Sequence, residues 1–166
     1  MVEREPLPFD PILRAGELWE KHVGDPSAMV VATSIMRVQQ LLLGEFDRVL
    51  KPHGITFARY EVLRLLSFSR EGRLPLSVIG ERLMVHPTSV TNAIDRLVAG
   101  GLVDRIPDDE DRRRVYASLN AEGERVLRSG TKSLMDVDFG LAALDAKDRK
   151  RLFEVLRAVR ASDFRG

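Results

Sequence analysis

No cysteine occurs among the 166 residues. That excludes disulfides, thiolate metal ligands and any thiol-based redox switch. Histidine is scarce, standing only at 22, 53 and 86, and no pair has metal-ligand spacing, so neither a metal nor another cofactor is expected. Charge of one sign is missing too: 26 Lys and Arg against 25 Asp and Glu leave a net charge of +1. The chain therefore lacks the global basic signature of many nucleic-acid binders. No uninterrupted apolar run approaches the roughly 18 residues of a membrane span. The N-terminal MVEREPLPFDPILRAGELW has no signal-peptide core, so a cytoplasmic protein without a membrane partner is expected. There is no Gly-x-Ser-x-Gly elbow, no phosphate loop and no catalytic spacing of Ser, His and Asp, which argues against an enzyme and leaves no candidate catalytic residue.

What remains is 44% hydrophobic and 31% charged, enough for one globular domain or one with a small added lobe. The most informative stretch is 75–119. Leu76, Ile79 and Leu83 fall on one face of a short helix that Pro75 can open, and Gly80 on that face allows a second helix to approach. His86 takes a cap position, Pro87 presets the first helical φ, and Val90, Ile94, Leu97 and Val98 form a second buried face. Thr88, Ser89, Thr91, Asn92, Asp95 and Arg96 then point outward, as base-reading groups of a recognition helix must. Gly100-Gly101 stops the helix. LVDRI and VYASL follow as strands around a polar turn, 107–114, that reads as a wing. The pattern predicts a mainly α fold with a small antiparallel β wing: a winged helix-turn-helix at 55–119, with helices at 28–54 and 120–166.

This stretch resembles the MarR family of bacterial transcription regulators. The resemblance rests on Asp111-Arg112-Arg113 in the turn, the strand ending at Leu119, Asn120 where the family usually has threonine, and Gly123, and with the helical parts it covers roughly 28–160. Asparagine caps a helix as well as threonine does. The resemblance implies a homodimer that binds double-stranded DNA at an inverted repeat, most simply as a repressor, with 28–54 and 120–166 as dimerisation region. It further implies Arg113 as a wing-tip arginine for the minor groove, with Asp111 bracing it. Arg112 and Arg114 suit phosphates, as does Arg96, for which an internal ion pair bracing the domain, within the Asp95-Arg96-Leu97 piece, is the alternative. Asn92 suits adenine, while Thr88, Ser89 and Thr91 suit either bases or phosphates. A small anionic or phenolic effector is the remaining implied partner.

Against this stands the local charge. Between 77 and 120 six arginines face seven acidic residues, a net of −1, so binding depends on where the arginines point and on doubling by symmetry. A protein-interaction module without DNA specificity is the competing reading. Steep salt dependence is expected of the DNA reader.

The remaining chain reads as an arm with a short helix over 1–27, a long helix from about Ala28 to Leu50 after a cap at Asp25 or Ser27, and a helix from Phe57 to Phe68 capped by Thr56. A helix running from Asn120 to about Leu144 and another opened by Asp145 complete it. Apolar positions on more than one side of the long helix predict two partners, its own core and another subunit. Trp19 either pins the short helix or, by resemblance to urate-responsive MarR proteins, helps hold an effector together with the acid Glu61; Arg37 and Tyr60 are further candidates.

Overall fold

The computed structural model describes residues 7–108 and 114–161. Internal contacts divide the chain into two units, with the boundary between Glu45 and Phe46 inside one long helix. The first unit holds α1 (Pro11–His22) and most of α2 (Ser27–Leu50). Both helices start on an aspartate. Asp10 accepts from Ile12 N at 2.8 Å, and Asp25 accepts from Ser27 N at 3.0 Å, satisfying donors that a first turn leaves unpaired. The bonds to the Ser27 amide and hydroxyl hold the Asp25 carboxyl below its ordinary value. Gly16 is the close-approach point, since a Cβ there would meet Val30 Cγ2 at 2.9 Å.

The second unit carries the remaining elements: α3 (Phe57–Ser67), β1 (Arg73–Pro75), α4 (Leu76–Leu83), α5 (Pro87–Ala99), β2 (Val103–Pro107), β3 (Val115–Leu119), α6 (Ala121–Asp136) and α7 (Ala146–Arg160). The strands form one antiparallel sheet in the order β1-β3-β2, in which Ala117 faces Leu74 on one side and Arg105 on the other. Leu50, Leu63, Leu66, Ile79, Ile94, Leu97, Val103 and Leu134 are wholly enclosed. Each such side chain contributes roughly 1.5–3 kcal/mol relative to an exposed one. The chain is thus mainly α with a small wing sheet, as the patterning predicts.

Several local expectations are corrected. Pro75 ends β1 and stands before α4 rather than inside its first turn. Thr56 makes no side-chain cap; the Phe57 amide donates instead to Asp47 Oδ1 at 2.7 Å, a carboxylate ten residues away. Val98 is 37% exposed and leaves the buried face of α5. The helix expected to reach Leu144 stops at Asp136, because Asp138 and Phe139 (φ 50° each) and Gly140 (φ 69°) adopt left-handed conformations. Two of these three carry a Cβ and are strained there. Arg149 compensates, donating to Asp138 Oδ1 at 2.9 Å and to the carbonyls of Leu141 and Leu144 at 3.0 and 2.9 Å.

Apolar faces stay uncovered in two places. On α2, Val31, Met36, Val38 and Leu41 are 47–67% exposed, and on α7 no residue is buried. Residues 27–53 are also long and apolar enough, by length and composition, to cross a bilayer. The exclusion drawn from the sequence therefore holds only for uninterrupted apolar runs.

Candidate nucleic-acid interface

The corner between α4 and α5 is built from small and strained residues. Gly80 is buried where a Cβ would sit 3.3 Å from Val90 Cγ2 and 3.4 Å from the Val85 carbonyl, so the two helices touch through it. Met84 turns the chain with a left-handed φ of 53°. His86 Nδ1 accepts from the Thr88 amide at 3.2 Å, and Pro87 opens α5. At the far end Gly101 (φ 68°) closes the helix, and the Leu102 amide returns to the Leu97 carbonyl at 2.9 Å.

With its caps set, α5 divides cleanly. Val90, Ile94 and Leu97 are buried, while Thr88, Ser89, Thr91, Asn92, Asp95 and Arg96 are exposed. Thr91 spends its hydroxyl proton on the Pro87 carbonyl at 3.1 Å, which leaves its lone pairs and methyl outward. Asp95 pairs with Arg105 on β2 at 2.7 Å, tying the helix to the wing sheet. An internal ion pair thus braces the domain through Asp95 and Arg105, and the Arg96 guanidinium has no ion pair among the described residues. Ser89, Asn92, Asp95 and Arg96 line one wall of an open groove of about 760 Å³, and Thr56, just before α3, with Ala58 and Arg59 of α3 lines the other.

The wing sheet is held to the body by Asn120. Its Oδ1 accepts from Gly123 N at 3.0 Å, capping α6, and its Nδ2 donates to the Gly101 carbonyl at 3.1 Å. Gly123 has no substitute here, because a Cβ would overlap the Leu102 carbonyl oxygen. Arg114 lies at the base of β3, where its carbonyl accepts from the Asp108 amide at 3.1 Å. Asp111, Arg112 and Arg113 fall outside the described residues.

A family model for the MarR family matches residues 53–114, the stretch that contains α3, the helix pair and the first wing strand β2. Sco5413 from Streptomyces coelicolor, a MarR family transcriptional regulator of solved structure, is 52% identical; the match covers 84% of this chain and 99% of that one, with a TM-score of 0.77. The chain belongs to the MarR family. It is a transcriptional regulator of that family by fold and by sequence. A second regulator of the family from the same organism, Sco3205, solved in complex with DNA, matches at 26% identity over 81% of this chain and 86% of that one, with a TM-score of 0.74. The transcriptional repressor MdtR of Bacillus subtilis is 34% identical over 109 residues, 63% of this chain and 68% of its own length. The chain spans 49–68% of the length of the first curated relatives it matches.

In this MarR-family chain a second cavity, about 450 Å³, lies in the same unit beside α3. Phe57, Tyr60, Glu61, Arg64 and Phe68 line it together with Phe139 from the left-handed turn. The Arg64 guanidinium lies over the Phe68 ring at 5.3 Å and donates to Thr131 Oγ1 at 2.5 Å, with no carboxylate within 4.0 Å among the described residues. Partial burial pushes the Glu61 carboxyl above its ordinary value. Tyr60 and Glu61 thus share one cavity. Arg37 lines a different cleft of about 300 Å³ between α1 and α2, where it donates to Gln40 Oε1 at 3.0 Å, and Trp19, 40% exposed on α1, lines neither. Sequence reasoning did not reach Arg64, Phe68 or Phe139 for this role. The first two were legible, since 57, 60, 61, 64 and 68 recur at helical spacing; Phe139 reaches the cavity only through the unpredicted turn. The histidines are occupied structurally where they interact, His86 as a cap and His53 with Ser133 Oγ at 2.8 Å.

Proposed function

We propose that the chain is a cytoplasmic homodimeric repressor that reads an inverted repeat in double-stranded DNA. The observation carrying this is the division of α5: one side buried on its own core, the other presenting hydroxyls, an amide and an unpaired guanidinium to an open groove. Asn92 has the donor and acceptor pair that suits adenine N6 and N7 in the major groove. Ser89, Thr88, Thr91 and Arg96 supply phosphate or base contacts around it, and Arg112, Arg113 and Arg114 belong to the wing, with Asp111 bracing Arg113. The uncovered faces of α2 and α7 suit a second copy of the chain, so that 28–54 and 120–166 form the dimerisation region. Two-fold symmetry would place the recognition helices about 34–36 Å apart, one turn of the duplex.

An effector fits the cavity beside α3. Four aromatic rings and the Arg64 guanidinium suit a small anionic or phenolic molecule, and Tyr60 and Glu61 would contact it, with Trp19 assigned to the effector by resemblance alone and Arg37 a further candidate that lines another cleft. Binding would shift α3 and with it the helix pair, so that both half-sites are missed together.

Titration of the full-length protein with a duplex obtained by binding-site selection, and with a scrambled duplex of equal length, tests the reading. A preference for the selected duplex that weakens steeply with salt is the expected result. Equal, feeble binding to both would favour a protein-interaction module, for which the local net charge of −1 is the argument.

A further inference from the structure

The groove beside α5 has a second wall that the helix-turn-helix does not supply. That wall is the start of α3, and its cation is Arg59, which is half-buried and has neither an ion pair nor a hydrogen bond among the described residues. Arg96 on the opposite wall is also unpaired, while the one acid of the groove, Asp95, is neutralised by Arg105 at 2.7 Å. The groove therefore holds two guanidinium groups and no available counter-charge. Arg59 also lines the adjoining depression of about 380 Å³, where it meets Lys51 and Thr56. The acid there, Asp47, has one oxygen committed to the Phe57 amide at 2.7 Å. Three cations thus follow one another away from the reading side of α5: Arg96 on α5, Arg59 on α3, and Lys51 in the short turn just after α2.

An unpaired arginine is costly to hold half-buried, as Arg59 is, unless an anion completes it. The groove is open and elongated rather than closed, which suits a linear polyanion better than a single small ion. Any duplex whose major groove receives Asn92 must carry its backbone past the opposite wall. We propose that Arg59, continued by Lys51, is a phosphate clamp that positions the DNA backbone along α3 while α5 reads the bases. The clamp rests on the DNA-binding reading above and extends it to a helix outside the helix-turn-helix. It also bears on the charge deficit: the net charge over 77–120 is −1, and Lys51 and Arg59, which precede that stretch, add positive charge beside it.

Phosphate contacts carry no sequence information, so the clamp has a signature distinct from base reading. The test is an anisotropy titration of full-length wild type, Arg59→Gln, Lys51→Gln and Asn92→Ala against the selected duplex and a scrambled one across a salt series. Arg59→Gln should weaken binding to both duplexes by the same factor and flatten the plot of log affinity against log salt by about 0.9 for each bound copy. Lys51→Gln, on a separate element, should repeat that signature, and Arg59→Lys should keep the salt slope. Asn92→Ala should instead lose affinity for the selected duplex alone. Unchanged affinity and slope in both glutamine variants, with Asn92→Ala still impaired, would overturn the clamp and leave the regulator reading intact. Loss confined to the selected duplex would overturn it too, assigning Arg59 to base reading. Absence of any duplex preference in the wild type would remove both readings together.

Discussion

Residues 57–134 and the outer helical stretches, 27–43 and 146–160, use similar side chains to opposite ends. In the first region leucines and isoleucines at three- and four-residue spacing vanish into one core, with Leu63, Leu66, Ile79, Ile94, Leu97 and Leu134 at 0% exposure. In the second the same periodicity leaves Leu41 at 67%, Val155 at 56% and Val159 at 66% exposed. Periodicity therefore reports that a helix has an apolar face and nothing of what covers it. The difference is between a part whose fold is complete within one chain and a part whose apolar surface exceeds what its own chain buries.

The sharpest way to break that comparison is to cut a methyl-bearing side chain from each region. Ile94→Ala removes a wholly enclosed side chain at the centre of α5 and should cost about 2–5 kcal/mol in urea unfolding, enough to abolish DNA binding by loss of fold. A cost under 1 kcal/mol would mean that the core is not packed as described. Next in size is Leu41→Glu. A charge on the exposed α2 face should leave helical content by far-UV circular dichroism unchanged, while sedimentation shows an 18.7 kDa monomer in place of the dimer proposed for the wild type. Wild-type protein that already sediments as a monomer would dissolve the contrast, since the uncovered faces would then have no need of a second copy.

A smaller effect isolates backbone conformation from packing. Met84 is 61% exposed yet left-handed, so Met84→Gly loses little contact and relieves a conformation that costs a side-chain-bearing residue about 1–2 kcal/mol. Thermal unfolding should shift upward, less the entropy that glycine adds to the unfolded chain. A downward shift would show that Met84 packs on the helix pair through the apolar depression it shares with Leu76 and Val90.

Much of this was legible beforehand for physical reasons that can be named. The caps at His86, Asn120 and Asp145, the close approach at Gly80 and the two faces of α5 are local: each depends on residues within four positions, or on a helix pair joined by a short corner. What escaped depends on distance along the chain. The Phe57 amide finds Asp47 while Thr56 makes no cap, and Asp95 pairs with Arg105 rather than with its neighbour Arg96, because folding brings together groups ten residues apart in each case. The break at 137–140 escaped for another reason. Asp138 and Phe139 carry no breaker signal, and their left-handed turn is sustained by Arg149, a residue on the next helix. For the candidate DNA site, α5 was readable and its opposite wall was not, since Arg59 meets Arg96 only across a groove that two separate helices create.

The smallest expected effect concerns Glu61, and it separates a passive wall from a working one. Burial raises its carboxyl pKa in the folded chain, so the protonated form folds without penalty and the ionised form does not. The stability linked to this group is therefore present at low pH and lost as pH rises through and above the ordinary carboxylate range. Glu61→Gln should match the wild type near pH 4 and become slightly the more stable by pH 7, with the gap growing smoothly between. The same sign governs an anionic effector: an ionised Glu61 beside Arg64 opposes a second negative charge, so a benzoate-class probe should bind the cavity more weakly as pH rises, and Glu61→Gln should flatten that dependence. If the variant changes the stability profile but not the binding profile, Glu61 is only a wall of the cavity, and the effector is held by Arg64 and the aromatic rings alone.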